Sequence, residues 1–273
     1  MTEHARRLRV AITGAEGIIG GVLRASLSDR YDFINTTRTP VEFESTVVDI
    51  RDVDGLTAAL RGSDAVVHLA ALADAGGDWQ GTLEHNIIGM RNVYEAALQA
   101  GVPRVVFASS NHAVAQFEVD ASPTLYDLDD TRTIGTDCEL RPDSLYGWSK
   151  AAGETLGRFY SDVHGLQVIC LRIGWVLRVD DLWQQDMGVE VAPPLAADDV
   201  ARRARAIWLS HRDCASLIDA ALRTDVRFGV YYGVSNNPRS FYDMQPGQRD
   251  LGWMPEDSAP ATFAEPGATR PSD

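Results

Sequence analysis

A tyrosine and a lysine stand four residues apart in Tyr146-Gly147-Trp148-Ser149-Lys150. Lys150 is the only lysine in the 273-residue chain, and every other basic residue is arginine. Arginine keeps its proton at any working pH, whereas lysine offers a compact ammonium that responds to burial. A chain that keeps lysine here and nowhere else points to a need for that ammonium. On a helix, positions i and i+4 share a face. An ammonium one turn from a phenol favours the phenolate and lowers its pKa towards neutrality, and a phenolate can take the proton of a substrate hydroxyl. Ser110 ends the run Arg104-Val105-Val106-Phe107-Ala108-Ser109-Ser110 and could hold the same oxygen. Asn111 and His112 follow it and could bind further hydroxyls. The chemistry in view is proton transfer at an alcohol.

Such chemistry needs a hydride acceptor, and the N-terminal region offers a place for one. Thr13-Gly14-Ala15-Glu16-Gly17-Ile18-Ile19-Gly20 follows the first apolar run and opens a helical stretch. The spacing G-x-x-G-x-x-G allows a tight turn and brings backbone N–H groups to a pyrophosphate at a helix N-terminus. Gly14, Gly17, Ile18, Ile19 and Gly20 are therefore candidate cofactor contacts. An acid at the end of the second strand would bind an adenosine ribose and favour NAD. Here the segment reads Asn35-Thr36-Thr37-Arg38. Arg38, helped by Thr37, could pair with a 2′-phosphate, which predicts use of NADP alongside NAD. Asp49 and Ile50 suit the adenine edge. Leu69, Ala70 and Ala71 leave room for cofactor backbone contacts, and Ile173 ends the sixth strand. Asn86, inside a helical stretch, is a candidate polar tie between that helix and the cofactor-side strands.

The elements that must position these residues alternate. Strands are expected at 8–13, 31–36, 45–50, 64–71, 104–110 and 167–173, and helices at 18–27, 53–61, 79–100 and 142–163. Short β-rich runs alternating with helices predict βαβ units, an α/β fold of Rossmann type with a doubly wound parallel sheet. One domain spans about 1–255, with a small C-terminal substrate-binding part. Substrate-binding elements are expected at about 111–145 and 175–250. The acidic, aperiodic segment 114–141 is expected to fold over the site as a loop. The tail at 256–273, rich in Pro, Ala, Gly and acid, is expected to be mobile.

Composition narrows the partners. The net charge of −14 argues against nucleic acid and anionic membrane, which both need a basic face. Cys138, Cys170 and Cys214 fit no metal spacing and read as reduced thiols. No signal-like segment or membrane-length apolar run is present, so a soluble cytoplasmic protein is expected. Acidic charge with almost no lysine suggests a high-salt habitat or a GC-rich genome.

Gly14, Gly17, Gly20, Asp49, Leu69-Ala70-Ala71, Ser110, Tyr146 and Lys150 together resemble the extended short-chain dehydrogenase/reductase pattern, the NAD-dependent epimerase/dehydratase family. The resemblance covers most of the chain. It implies Ser110 as the substrate-orienting hydroxyl, Tyr146 as acid and base, and Lys150 as the cation that lowers its pKa and holds the nicotinamide ribose. Four segments sharpen it: Asn86-Ile87-Ile88-Gly89, Phe107 to His112, Arg141 to Gly147 and Tyr232 to Asn237. These resemble the uronate dehydrogenase group and the related archaeal NAD-dependent glucose-6-phosphate dehydrogenases. The chain departs from the uronate group at Thr37, where that group carries an acid, and at Ala73, where it carries a serine. The implied reaction is oxidation of the anomeric C1 hydroxyl of an anionic hexose to a lactone, with glucose 6-phosphate favoured. Arg203, in the cluster Arg202, Arg203 and Arg205, matches the uronate carboxylate ligand. The family also implies a homo-oligomer paired through long helices. Three alternatives remain: a uronate dehydrogenase acting on glucuronate or galacturonate, a nucleotide-sugar epimerase or dehydratase, and a cofactor-binding regulator without turnover. The second would need a larger substrate domain than the roughly 100 residues after strand six provide.

Overall fold

The computed structural model describes residues 6–73, 77–184 and 195–264. The chain runs β1 (Leu8–Thr13), α1 (Ile18–Leu27), β2 (Tyr31–Thr37), β3 (Thr46–Val47), α2 (Val53–Leu60) and β4 (Ala65–His68). A short α3 (Trp79–Gly81), π-helical turns at Thr82–Gly89, α4 (Met90–Gln99) and β5 (Arg104–Ser110) follow. Next come α5 (Gln116–Ala121), α6 (Leu145–His164), β6 (Gln167–Ile173), α7 (Ala197–Ile207), α8 (His211–Arg223), β7 (Phe228–Gly233) and α9 (Gln245–Leu251).

Among the described residues, seven strands form one sheet in the order β3-β2-β1-β4-β5-β6-β7. Every pairing is parallel. The middle strands read as continuous apolar runs because helices cover both faces. On one face α1 and α8 bury Val22, Leu23, Leu217 and Ile218 against Val10, Ile12, Val67 and Leu171. On the other, α2, α4 and α6 bury Leu56, Val93, Tyr94 and Tyr160 against Ala11, Val66, Val105 and Cys170. The strand order reverses between β1 and β4, and ligands in such sheets collect outside the C-terminal strand ends near that point. Thr13, His68, Ser110 and Ile173 all end strands there.

The structure corrects several expected boundaries. The third strand is two residues long, as suits an exposed sheet edge. The fourth ends at His68, and Leu69-Ala70-Ala71 leave the sheet to cross over Gly14. The expected helix 79–100 is divided by the π-helical turns. The acidic segment is ordered, with α5 and a 3-10 turn at Thr124–Tyr126 burying Leu125 and Tyr126. The tail docks further than expected: Ala259 and Phe263 are buried against Leu177, Leu182 and Trp208. Residues 185–194 of the expected substrate part and 265–273 of the tail lie outside the described residues.

Candidate active site

The glycine loop is shaped by contact. Gly14 has φ +72°, and a Cβ there would lie 2.8 Å from Ala70 Cα, so only glycine lets the two loops touch. The Thr13 hydroxyl hydrogen-bonds His68 Nδ1 at 2.8 Å beneath this contact. His68 is fully buried, and burial, reinforced by the Lys150 charge, drops it to about 3, so the ring is neutral. Gly17 caps α1 without a side chain, and the first turn carries no acid. Its N–H groups are therefore available to an anion.

A groove runs from this loop in both directions. Towards the sheet edge it is lined by Thr36, Thr37, Arg38, Asp49, Ile50, Ala70 and His85. Towards the centre it is lined by Ile18, Ile19, Gly20, Ser110, Tyr146, Lys150, Ile173 and Trp175. Gly14, Gly17, Leu69 and Ala71 line both stretches. The fold thus brings together every expected cofactor residue except Asn86. The Asn86 amide is spent inside the protein: Oδ1 accepts from Leu72 N–H at 2.8 Å, and Nδ2 donates to the Leu72 carbonyl at 3.0 Å and to Ser149 Oγ at 3.2 Å. It ties its helix to the segment after β4 and to α6, and does not line the groove. Thr37 lines the groove, but its hydroxyl pairs with Ser45 at 3.2 Å. Glu16, which the sequence reading passed over, lines the same end as Arg38 and accepts from the Arg38 N–H at 3.3 Å. The Asp49 carboxylate is engaged by Arg51 at 2.8 Å.

At the inner end, α6 carries Tyr146 and Lys150 towards the end of β5. Ser144 caps α6 by accepting from Gly147 N–H at 3.0 Å. Gly147 is needed because any Cβ there would collide with the His112 carbonyl. Lys150 is buried, and its Nζ donates to the Ala108 carbonyl at 2.7 Å. Burial lowers it to about 8. The Tyr146 phenol faces the Ser110 hydroxyl, which itself donates to Asn111 Oδ1 at 3.2 Å. Burial raises the phenol, the Ser110 hydroxyl pulls it down, and the Asp143 carboxylate pushes it up again, leaving it at about 12. This departs from the expected lowering towards neutrality. The Lys150 ammonium is held by a carbonyl, 5.5 Å from the phenol ring centroid, rather than at the phenol oxygen. His112 Nδ1 pairs with Asp143 at 2.8 Å, and its ring meets Tyr146 edge-on at 5.8 Å.

Two buried ion pairs stand behind this end, and neither was visible in the sequence. Arg172 of β6 makes two 2.9 Å bonds to Glu154 of α6, which also accepts from the Ser109 hydroxyl at 2.6 Å. This cluster ties α6 to the strands next to Ser110. Arg203 of α7 donates to Glu118 of α5 at 2.6 and 3.3 Å, and the Tyr126 hydroxyl donates to the same carboxylate at 2.8 Å. Burial disfavours the Arg203 charge, and Glu118 more than restores it. The groove lining includes Ser110 and Tyr146 but not Asn111, His112 or Arg203. Arg203, expected to meet a substrate anion, is 5% exposed and already paired. Among the described residues no cluster of three metal-ligating side chains occurs, and no helix is long and apolar enough to cross a membrane.

Comparison with known proteins agrees with this geometry. Residues 10–177 match the model of the NAD dependent epimerase/dehydratase family. The chain is 38% identical to L-arabinose 1-dehydrogenase (NAD(P)(+)) of Haloferax volcanii, over 94% of this chain and 99% of that one. It is 37% identical to NAD-dependent glucose-6-phosphate dehydrogenase of the same organism, over 93% and 95%. The crystal structure of uronate dehydrogenase from Agrobacterium tumefaciens superposes with a TM-score of 0.77 at 30% identity, covering 98% of this chain and 91% of that one. With its glycine loop, parallel sheet and Tyr146–Lys150 pair at the groove's inner end, the chain belongs to the NAD dependent epimerase/dehydratase family.

Proposed function

We propose that the protein is an NAD(P)-dependent sugar 1-dehydrogenase that oxidises the anomeric hydroxyl of a cyclic sugar to a lactone. The observation that carries this reading is one groove with a glycine-loop anion cradle in its middle and Ser110, Tyr146 and Lys150 together at its inner end. The names of the relatives support it. The residues fit a dinucleotide: the Gly14 cradle closes if a Cβ is added, and the first-turn residues Ile18, Ile19 and Gly20 of α1 line the groove with no acid among them. At the adenosine end, Arg38 suits a 2′-phosphate and Glu16 suits ribose hydroxyls, which supports use of both NADP and NAD.

A nicotinamide cofactor held in this groove would supply the acceptor for the C1 hydride. The protein's own residues manage the proton and the geometry. The Ser110 hydroxyl orients the reacting oxygen beside the Tyr146 phenol. Tyr146 takes the hydroxyl proton on oxidation and returns it on reduction. At about 12 the phenol rests protonated, with the Ser110 hydroxyl lowering it; the further lowering that proton transfer needs is assigned to the nearby Lys150 ammonium. The His112–Asp143 pair fixes the wall beside Tyr146.

Mixing the protein with NAD or NADP and a panel of aldoses should give net absorbance at 340 nm. An epimerase gives none, and a cofactor-binding regulator binds without turnover. Tyr146→Phe should lower kcat/KM by about 10²- to 10⁴-fold while leaving NADH and NADPH affinity nearly unchanged. Full activity in that variant would remove Tyr146 from the assigned role.

A further inference from the structure

The strongest unexplained feature is Arg203, the arginine that the resemblance matched to a substrate anion: it does not line the groove and is already paired. Arg203 holds Glu118 through Nε and Nη2, and Glu118 is 1% exposed. Tyr242, which interacts with both Glu118 and Arg203, also faces the amide of Asn111, the neighbour of Ser110. The flanking arginines are engaged too: Arg202 with Asp127 and Asp199, and Arg205 with the carbonyls of Phe263 and Tyr126.

We propose that the sugar site is built for a neutral aldose, and that Glu118 excludes carboxylate and phosphate sugars by occupying Arg203. This rests on the sugar dehydrogenase reading above. For an anionic sugar to use Arg203, Glu118 must surrender both bonds while staying buried. The incoming anion then faces a carboxylate with its partner removed, and separating a buried ion pair is strongly unfavourable. Rejection by a fixed like charge is a common route to specificity. A neutral hydroxyl meets no such barrier. Beside Ser110, the buried Asn111 turns its amide to the Tyr242 hydroxyl, a neutral partner. Trp175 lines the same stretch of the groove as Tyr146 and carries no charge.

The test uses two substrate series that differ only beyond the sugar ring. One is xylose, glucose, glucuronate and glucose 6-phosphate. The other is L-arabinose, D-galactose, D-galacturonate and D-galactose 6-phosphate. The neutral members should lead the anionic ones in kcat/KM by at least about tenfold, in whichever series is turned over. Glu118→Gln frees Arg203 and should move the anionic-to-neutral ratio upward by about tenfold or more. An anionic member leading in the unaltered protein overturns the proposal and leaves the dehydrogenase reading standing. So does a well-folded E118Q protein with an unchanged ratio. If E118Q does not fold, the ratio in the unaltered protein decides alone. No turnover of any sugar, with cofactor binding intact, instead overturns the dehydrogenase reading.

Discussion

Lys150 is retained at a cost that can be measured. It is 5% exposed, its Nζ meets a carbonyl, and no carboxylate is among the causes of its shift to about 8. The sign follows from linkage. The folded-state value lies below the usual 10.5, so folding disfavours the ammonium. Below pH 8 both states are protonated and the full cost, on the order of 3 kcal/mol, is present. Between about 8 and 10.5 the unfolded chain holds the extra proton, so stability rises with pH and the cost disappears. Lys150→Met keeps most of the stem and removes the charge. It should raise the melting temperature of the cofactor-free protein at pH 7, lose that gain by about pH 10.5, and abolish turnover. The lost bond to Ala108 trims the gain by about 1 kcal/mol. A variant no more stable at pH 7 would mean that the ammonium is better solvated than its burial indicates.

Helix α6 shows how an element converts sequence into a site. Its start is set by Ser144, and its approach to the turn after β5 is set by Gly147, which sits directly under the His112 carbonyl. Gly147→Ala therefore pits two effects against each other. Alanine is favoured over glycine within a helix by up to about 1 kcal/mol, and by less at Gly147, which is buried in the first turn of α6. The collision with His112 must push α6 away or turn the peptide. We expect the collision to win, with a lower melting temperature and a fall in kcat larger than any change in cofactor affinity, because Tyr146 is the adjacent residue. Unchanged kcat with a raised melting temperature would show that the turn gives way freely. Much of this region was legible in the sequence: strand end, serine, tyrosine and lysine all fall where the alternating pattern puts them. Arg203 was misread because its partner lies 85 positions away. Glu118 sits in a six-residue helix, too short to show a period, inside a segment that reads as an acidic loop. Asn86 shows the same limit: its place in a helix allowed both a cofactor contact and an internal tie, and only the fold spends the amide on Leu72 and Ser149.

For the whole molecule, the acid excess sets how stability responds to salt. There are 39 acidic and 25 basic residues, and the net charge is −14. Many acids meet arginine at the surface, as in Arg158–Asp162 at 2.6 Å and Arg249–Asp250 at 2.7 Å, with both partners substantially exposed. Exposed pairs contribute about 0–1 kcal/mol each and weaken as salt rises. The buried pairs Arg172–Glu154 and Arg203–Glu118 are shielded from that screening. Opposing the surface pairs is the mutual repulsion of the unmatched acids, which acts over the whole surface and favours expansion. The Debye length falls from about 10 Å at 0.1 M to about 3 Å at 1 M. Long-range repulsion between scattered acids is therefore screened before contacts below 3 Å are. The melting temperature should climb between about 0.05 and 0.3 M KCl and then rise more slowly, because the screening length shrinks only as the square root of ionic strength. A fall over the first interval would show that the arginine pairs outweigh the repulsion, and that the charge imbalance carries no salt requirement of its own.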